Sequence, residues 1–160
     1  MPVVYASQLA TPGNSTTSGT PNTEIDFVFL KAGARTAALQ AVYLTGKGAA
    51  LTAISGIVCR IARFATAATI GTGAAVTPTP ADIGSGQVAT ATSASLPSVA
   101  GVTRTNAGAF GCGAAGPGGW VAPNPDSMKV LAGGGAPSLD LMVSSGTASL
   151  NFEWALEHQE

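Results

Sequence analysis

The stretch Thr147-Ala148-Ser149-Leu150-Asn151-Phe152-Glu153-Trp154-Ala155-Leu156-Glu157 decides the fold class. Ala148, Leu150, Phe152, Trp154 and Leu156 fall on alternate places, with Thr147, Ser149, Asn151, Glu153 and Glu157 between and around them. A period of two puts one set of side chains on each side of an extended chain, so this is a strand with one buried face. Just ahead of it, Leu139, Leu141 and Val143 alternate with Ser138, Asp140 and Met142. Ser144-Ser145-Gly146 reads as a hairpin connection, which would make these two strands antiparallel neighbours. Further upstream, Met128 to Leu131 forms a third short strand between the Pro123-Asn124-Pro125-Asp126 turn and the break at Gly133-Gly134-Gly135.

The N-terminal half repeats this grammar. Glu24 to Leu30 and Ala38 to Thr45 read as strands separated by Gly33-Ala34-Arg35. Ile54 to Phe64 places Ile57, Cys59 and Ile61 on one face and Val58, Arg60, Ala62 and Phe64 on the other. An apolar run of this length also suits a helix, but its Ile, Val and Phe content, with Gly56 inside, favours a strand. Residues 65–118 differ in kind, being rich in Ala, Thr, Gly, Ser and Pro with few large anchors. They are expected as a loop-rich insertion carrying short strands near Gln87 to Thr92, Gly101 to Thr105 and Gly118 to Val121. Within it, Thr77-Pro78-Thr79-Pro80 is a stiff extended connector, because each proline fixes its own φ and biases its predecessor away from helix.

Residues 10–23 form a polar loop behind a segment, Val3 to Leu9, that is expected to be an arm pairing with a sheet edge or a neighbour. The reading is thus an N-terminal arm and loop over residues 1–23, followed by one all-β domain over 24–160. A β-sandwich of the jelly-roll type fits eight or so strands with long connections, and a seven-stranded immunoglobulin-like sandwich is the second choice.

Composition narrows the function. With a formal charge of −1 and 9% charged residues in 160, the chain lacks the basic footprint that phosphate binding needs. No direct nucleic-acid partner is expected. No apolar run reaches 18 residues and the start, Met1-Pro2-Val3-Val4-Tyr5, has no secretion pattern, so no membrane partner is expected and synthesis is placed in the cytosol. Small residues dominate and aromatics make up 6%. So weakly defended a surface favours burial against neighbouring subunits, although a plain Ser, Thr and Gly surface on a monomer is the blander reading.

A search for chemistry returns little. His158, the only histidine, lies near the end of the sequence, where the chain is expected to fray and the ring to be exposed. Cys59, Cys112 and His158 are too few and too scattered for a zinc site, and two cysteines are no disulfide framework. Gly111-Cys112-Gly113-Ala114-Ala115-Gly116 matches a dinucleotide fingerprint formally, but Pro117-Gly118-Gly119 follows where a helix would have to open. The eight carboxylates form no calcium loop. No catalytic, cofactor-binding or metal-binding residue is assigned, and the chain is read as non-enzymatic.

In place of chemistry there are candidate contacts. Arg60 and Arg63 fall on opposite faces of their strand, and each suits a polar edge or subunit contact or, equally, a salt bridge to Asp26 or Asp140 within the chain, with Arg63 taken as the candidate contact. Trp120, in a glycine-rich setting, is the candidate interface anchor or, equally, a loop plug packed on its own domain, whereas Trp154 reads as core. Phe110 lies close enough in sequence to join Trp120, and Val3, Val4 and Tyr5 represent the arm.

Several stretches together resemble the capsid decoration, or cement, proteins of tailed bacteriophages. They are the Met1-Pro2-Val3-Val4-Tyr5 start, Thr23 to Phe27, the run from Arg60-Ile61-Ala62-Arg63 to Thr77-Pro78-Thr79-Pro80, Gly119-Trp120, Leu139-Asp140-Leu141 and Phe152-Glu153-Trp154. The resemblance implies a jelly roll, often a homotrimer, on the outer surface of a virion, binding the major capsid protein and resisting the pressure of packaged DNA. Tail, neck or baseplate proteins share this style of sequence. A receptor-binding or carbohydrate-binding jelly roll, using Trp120, Phe110 and Asn106 as a platform, is the other alternative.

Overall fold

The computed structural model describes residues 2–8, 15–16, 25–47, 56–64, 69–70, 74–82, 84, 86–95, 99–100, 104–113, 117–124, 126, 128–131, 138–145 and 151–160. These are strands, turns and extended connections with no helix among them. In chain order the first strands are β1 (Val4–Gln8), β2 (Ser15–Thr16), β3 (Ile25–Lys31), β4 (Ala37–Lys47), β5 (Gly56–Phe64), β6 (Thr69–Ile70) and β7 (Ala74–Val76). They are followed by β8 (Thr79–Pro80), β9 (Thr92–Ser95), β10 (Val99–Ala100), β11 (Arg104–Gly113), β12 (Pro117–Val121), β13 (Lys129–Val130), β14 (Ser138–Ser145) and β15 (Asn151–Gln159). The strand alternative for residues 56–64 is the one adopted.

Two large antiparallel sheets result. The first runs β12-β4-β15-β1-β8, with β13 also on β4 and β2 also on β15; the second runs β11-β5-β14-β3-β9-β7. β6 and β10 form a separate pair. Both large sheets supply one core: Leu39, Val42, Leu44, Trp154 and Leu156 come from the first and Leu30, Cys59 and Ile61 from the second. Alternation explains the choice of side chains. Val42, Leu44, Trp154 and Leu156 point in, and their neighbours Tyr43, Thr45, Ala155 and Glu157 point out. In β5, Cys59 and Ile61 are buried while Val58 and Arg60 are exposed, and Ala62 on the second face is buried as well.

The hairpin expected across Ser144-Ser145-Gly146 does not form. β14 pairs with β3 and β5 in one sheet, and β15 pairs with β4 and β1 in the other. Both lateral edges of β14 are already taken, so β15 has no place beside it. A half-buried alternation serves equally well for a chain that turns back on itself and for one that crosses to the facing sheet. The Pro-Asn-Pro-Asp turn behaves as read, with Asn124 Oδ1 accepting a hydrogen bond from the Asp126 amide at 2.8 Å.

Residues 4–8, expected as an arm, are an inner strand of the first sheet: β1 pairs with β15 along Val4 to Gln8 and with β8 on its other side. The strand addition foreseen for this segment takes place within the chain. Residues 104–113, expected to hold only a short strand at their start, pair with β5 over ten residues. Small side chains give β11 little strand propensity of its own, and the ladder to β5 overrides it. Pro80 sits on β8 at the edge of its sheet, where a missing N–H is tolerated.

Part of the insertion has a clear structural task. Between residues 74 and 95 it lays β8 along β1 and β9 along β3, so one excursion covers an edge of each sheet. Uncovered edges present unpaired backbone groups that invite pairing with other chains. The excursion comes so close to the β3–β4 connection that a Cβ on Gly33 would run into the Thr90 carbonyl. Only glycine fits there.

Candidate functional site

The inward positions of β15 continue past Trp154 and Leu156 to His158, which is fully buried. Its register partner on β1 is Tyr5, also fully buried. The two rings stack with centroids 5.4 Å apart and planes 18° from parallel. This overturns the expectation of a frayed, exposed histidine: β1 pairs with the last strand along its length, and Val3 and Glu160 exchange two backbone hydrogen bonds of 3.1 and 3.0 Å beyond it.

Glu160 occupies the next inward place, its side chain wholly shielded from solvent. One carboxylate oxygen accepts hydrogen bonds from the amides of Thr90 at 2.8 Å and Ala91 at 2.6 Å. The other accepts from the Thr90 amide at 3.0 Å and the Thr90 hydroxyl at 2.9 Å. Arg35 Nε stands 3.6 Å from the carboxylate and His158 Nε2 stands 3.4 Å from it. Arg35 also reaches the excursion directly, donating from its amide to the Thr90 hydroxyl at 3.1 Å and from Nη2 to the Val88 carbonyl at 2.9 Å.

These surroundings set the proton affinities. Burial pushes the His158 imidazole below its ordinary 6.5, and the nearby Glu160 charge opposes that shift without cancelling it. For Glu160, burial would raise the carboxyl, but the bonds from Ala91 and Thr90 outweigh it and hold the group below its ordinary 4.5. A neutral imidazole beside a carboxylate is therefore the state at neutral pH. Neither ring nitrogen of His158 makes a hydrogen bond of good geometry, and the Tyr5 hydroxyl and Trp154 Nε1 are likewise buried without a partner. Close by in sequence, the buried hydroxyls of Ser7 and Ser93 bond each other at 3.2 Å, tying β1 to β9. The arrangement joins three parts of the chain and can take up protons; a substrate would first have to displace the strands over it.

The residues singled out from the sequence are not brought together. Val3 is half-buried and Val4 exposed, but Tyr5 belongs to the core of its own chain. Trp120 lies on β12, at an inward place opposite Val42, and packs half-buried against the core together with Phe110. Arg63 is half-buried, its Nη2 3.9 Å from the Met128 sulfur. Among the described residues no three His, Cys, Asp or Glu side chains gather in a metal-binding group.

The Tyr5, His158 and Glu160 cluster was absent from the sequence reading, although the period-two register of Trp154 and Leu156 extends straight to 158 and 160. Thr90 and Arg35 carried no comparable signal, since only the fold brings them to Glu160. Comparison with protein-family models, with curated proteins and with solved structures finds no match.

Proposed function

We propose that this chain is a non-enzymatic jelly-roll protein of a bacteriophage virion that binds the major capsid protein on the outer surface of the capsid, as a homotrimer, and stabilises the lattice. The order of its long strands carries the reading. Counting in chain order only the strands of five residues or more, β1, β3, β4, β5, β11, β12, β14 and β15, the first sheet holds the sixth, third, eighth and first. The second holds the fifth, fourth, seventh and second. First thus lies beside eighth, second beside seventh, third beside sixth and fourth beside fifth. That is the order produced by two interlocked Greek keys, an architecture used by viral capsid and lectin domains.

Two observations favour the capsid over the lectin branch. The aromatic pair that would form the sugar platform, Trp120 and Phe110, turns toward the core. The outer face of the first sheet instead presents Val4, Tyr43 and Val121, exposed, among the small residues Ala6, Ala155 and Gly119. Glu153 and Glu157 lie on the same face, and its exposed apolar side chains suit broad contact with neighbouring subunits.

The test is to mix the purified chain with expanded capsids of the phage whose genome encodes it. Saturable co-sedimentation of a trimer, with density on the outer capsid surface in an image reconstruction, is the expected result. Finding the chain only in the tail or neck, or missing from virions, rejects the proposal.

A further inference from the structure

We propose that Glu160, His158 and Thr90 form an acid-sensitive clasp that holds the excursion of residues 74–95 over the edges of both sheets and releases it, with the rest of the fold intact, as the pH falls. The clasp unites elements that are distant in sequence. Glu160 and His158 belong to the end of the β15 segment, whereas Thr90 and Ala91 immediately precede β9. The bonds and pairings that also hold the excursion include β9 on β3, β8 on β1, Thr79 Oγ1 to the Ala6 carbonyl at 3.4 Å, the Ala81 amide to the Val4 carbonyl at 2.8 Å, and Arg35 Nη2 to the Val88 carbonyl at 2.9 Å. Val76 and Ala91 reach the core cluster, while Ala75, Ala81, Asp82, Gln87 and Val88 are exposed. The Glu160 carboxylate, accepting from the Thr90 amide and hydroxyl and from the Ala91 amide, is the anionic fastening among them.

The charged and titratable side chains that meet the clasp among the described residues are Tyr5 from β1, Arg35 from the β3–β4 connection, and His158 and Glu160 themselves. The excursion contributes amides and the Thr90 hydroxyl. Closed, His158 and Glu160 both bind protons less readily than they would in water. Opening returns them to their ordinary affinities. The open form thus takes up a proton on His158 as the pH falls through 6.5 and a second on Glu160 as it falls through 4.5, and each uptake drives the equilibrium toward opening. Protonated Glu160 also loses the charge that drew the Thr90 and Ala91 amides to it. What is bared is the outer edge of β1 and of β3.

Hydrogen exchange of the full chain, read by mass spectrometry from pH 8 to pH 4 and corrected for intrinsic rates, tests this. Peptides covering residues 74–95 are expected to exchange about tenfold faster or more at the acid end, while those of β4 and β5 stay protected. Glu160→Gln keeps a carbonyl oxygen for the Thr90 and Ala91 amides but not the charge that strengthens those bonds, and is expected to show faster exchange of these peptides already at neutral pH. His158→Phe keeps a ring against Tyr5 and confines the onset to the Glu160 range. The proposal fails if the 74–95 peptides track β4 and β5 at every pH or remain protected at the acid end. It fails equally if folded Glu160→Gln protects them as the parent does; should that variant not fold, the parent profile alone decides.

Discussion

The Tyr5 hydroxyl is buried without a hydrogen-bond partner and stacks by its ring on His158. A polar group taken out of water with nothing in exchange costs about 1–3 kcal/mol, whereas the ring itself contributes favourable burial. Tyr5→Phe keeps the ring and removes the orphan oxygen. It is expected to leave stability unchanged or to raise it by up to about 1–3 kcal/mol in denaturant unfolding. A loss of more than about 1 kcal/mol would mean that the hydroxyl is bonded in solution, for instance to a buried water. Tyr5 was read from the sequence as a contact for other chains because it lies near the start. Its alternation with Val4 and Ala6 allowed either face, and only the presence of His158 opposite decided which one is covered.

At the scale of elements, β1 shows most plainly how pairing changes a segment's role. As an arm it would be dispensable to the fold. As a strand between β15 and β8 it supplies two buried side chains, Tyr5 and Ser7, and two ladders of backbone bonds. Deleting residues 2–8 is therefore expected to lower the melting temperature by about 10 °C or more, or to prevent folding, because the loss approaches the whole margin of a typical domain. Circular dichroism melts check this, and an unchanged melt would return β1 to the status of an arm. The other outer edges behave differently. Among the described residues β11 pairs only with β5, and its ladder is interrupted between Asn106 and Gly108 by a bulge, one of the devices by which an edge is made a poor template for other strands.

The whole molecule is built from pairings between chain segments that lie far apart. β1 joins residues 4–8 to residues 155–159, and β3 joins 25–31 to 138–143. Loop-closure entropy must be met before such contacts give anything back, so refolding is expected on the scale of milliseconds to seconds rather than microseconds. Stopped-flow fluorescence of Trp154 and Trp120 after dilution from denaturant measures it. A dominant microsecond phase would contradict the nonlocal topology.

The sequence by itself determined the all-β class of the described residues, which residues of β15 face inward, how β5 divides into two faces, and where the 123–126 turn falls. These follow from local physics: period-two alternation, β-branched content and the fixed φ of proline act within a few residues. Tertiary structure alone decided which strands are neighbours, that the start of the described chain is interior, that Trp120 serves its own core, and that Glu160 meets Thr90 and Arg35. Alternation states that one face is buried but carries no label for the partner. That choice depends on which edges remain open once the other strands are in place.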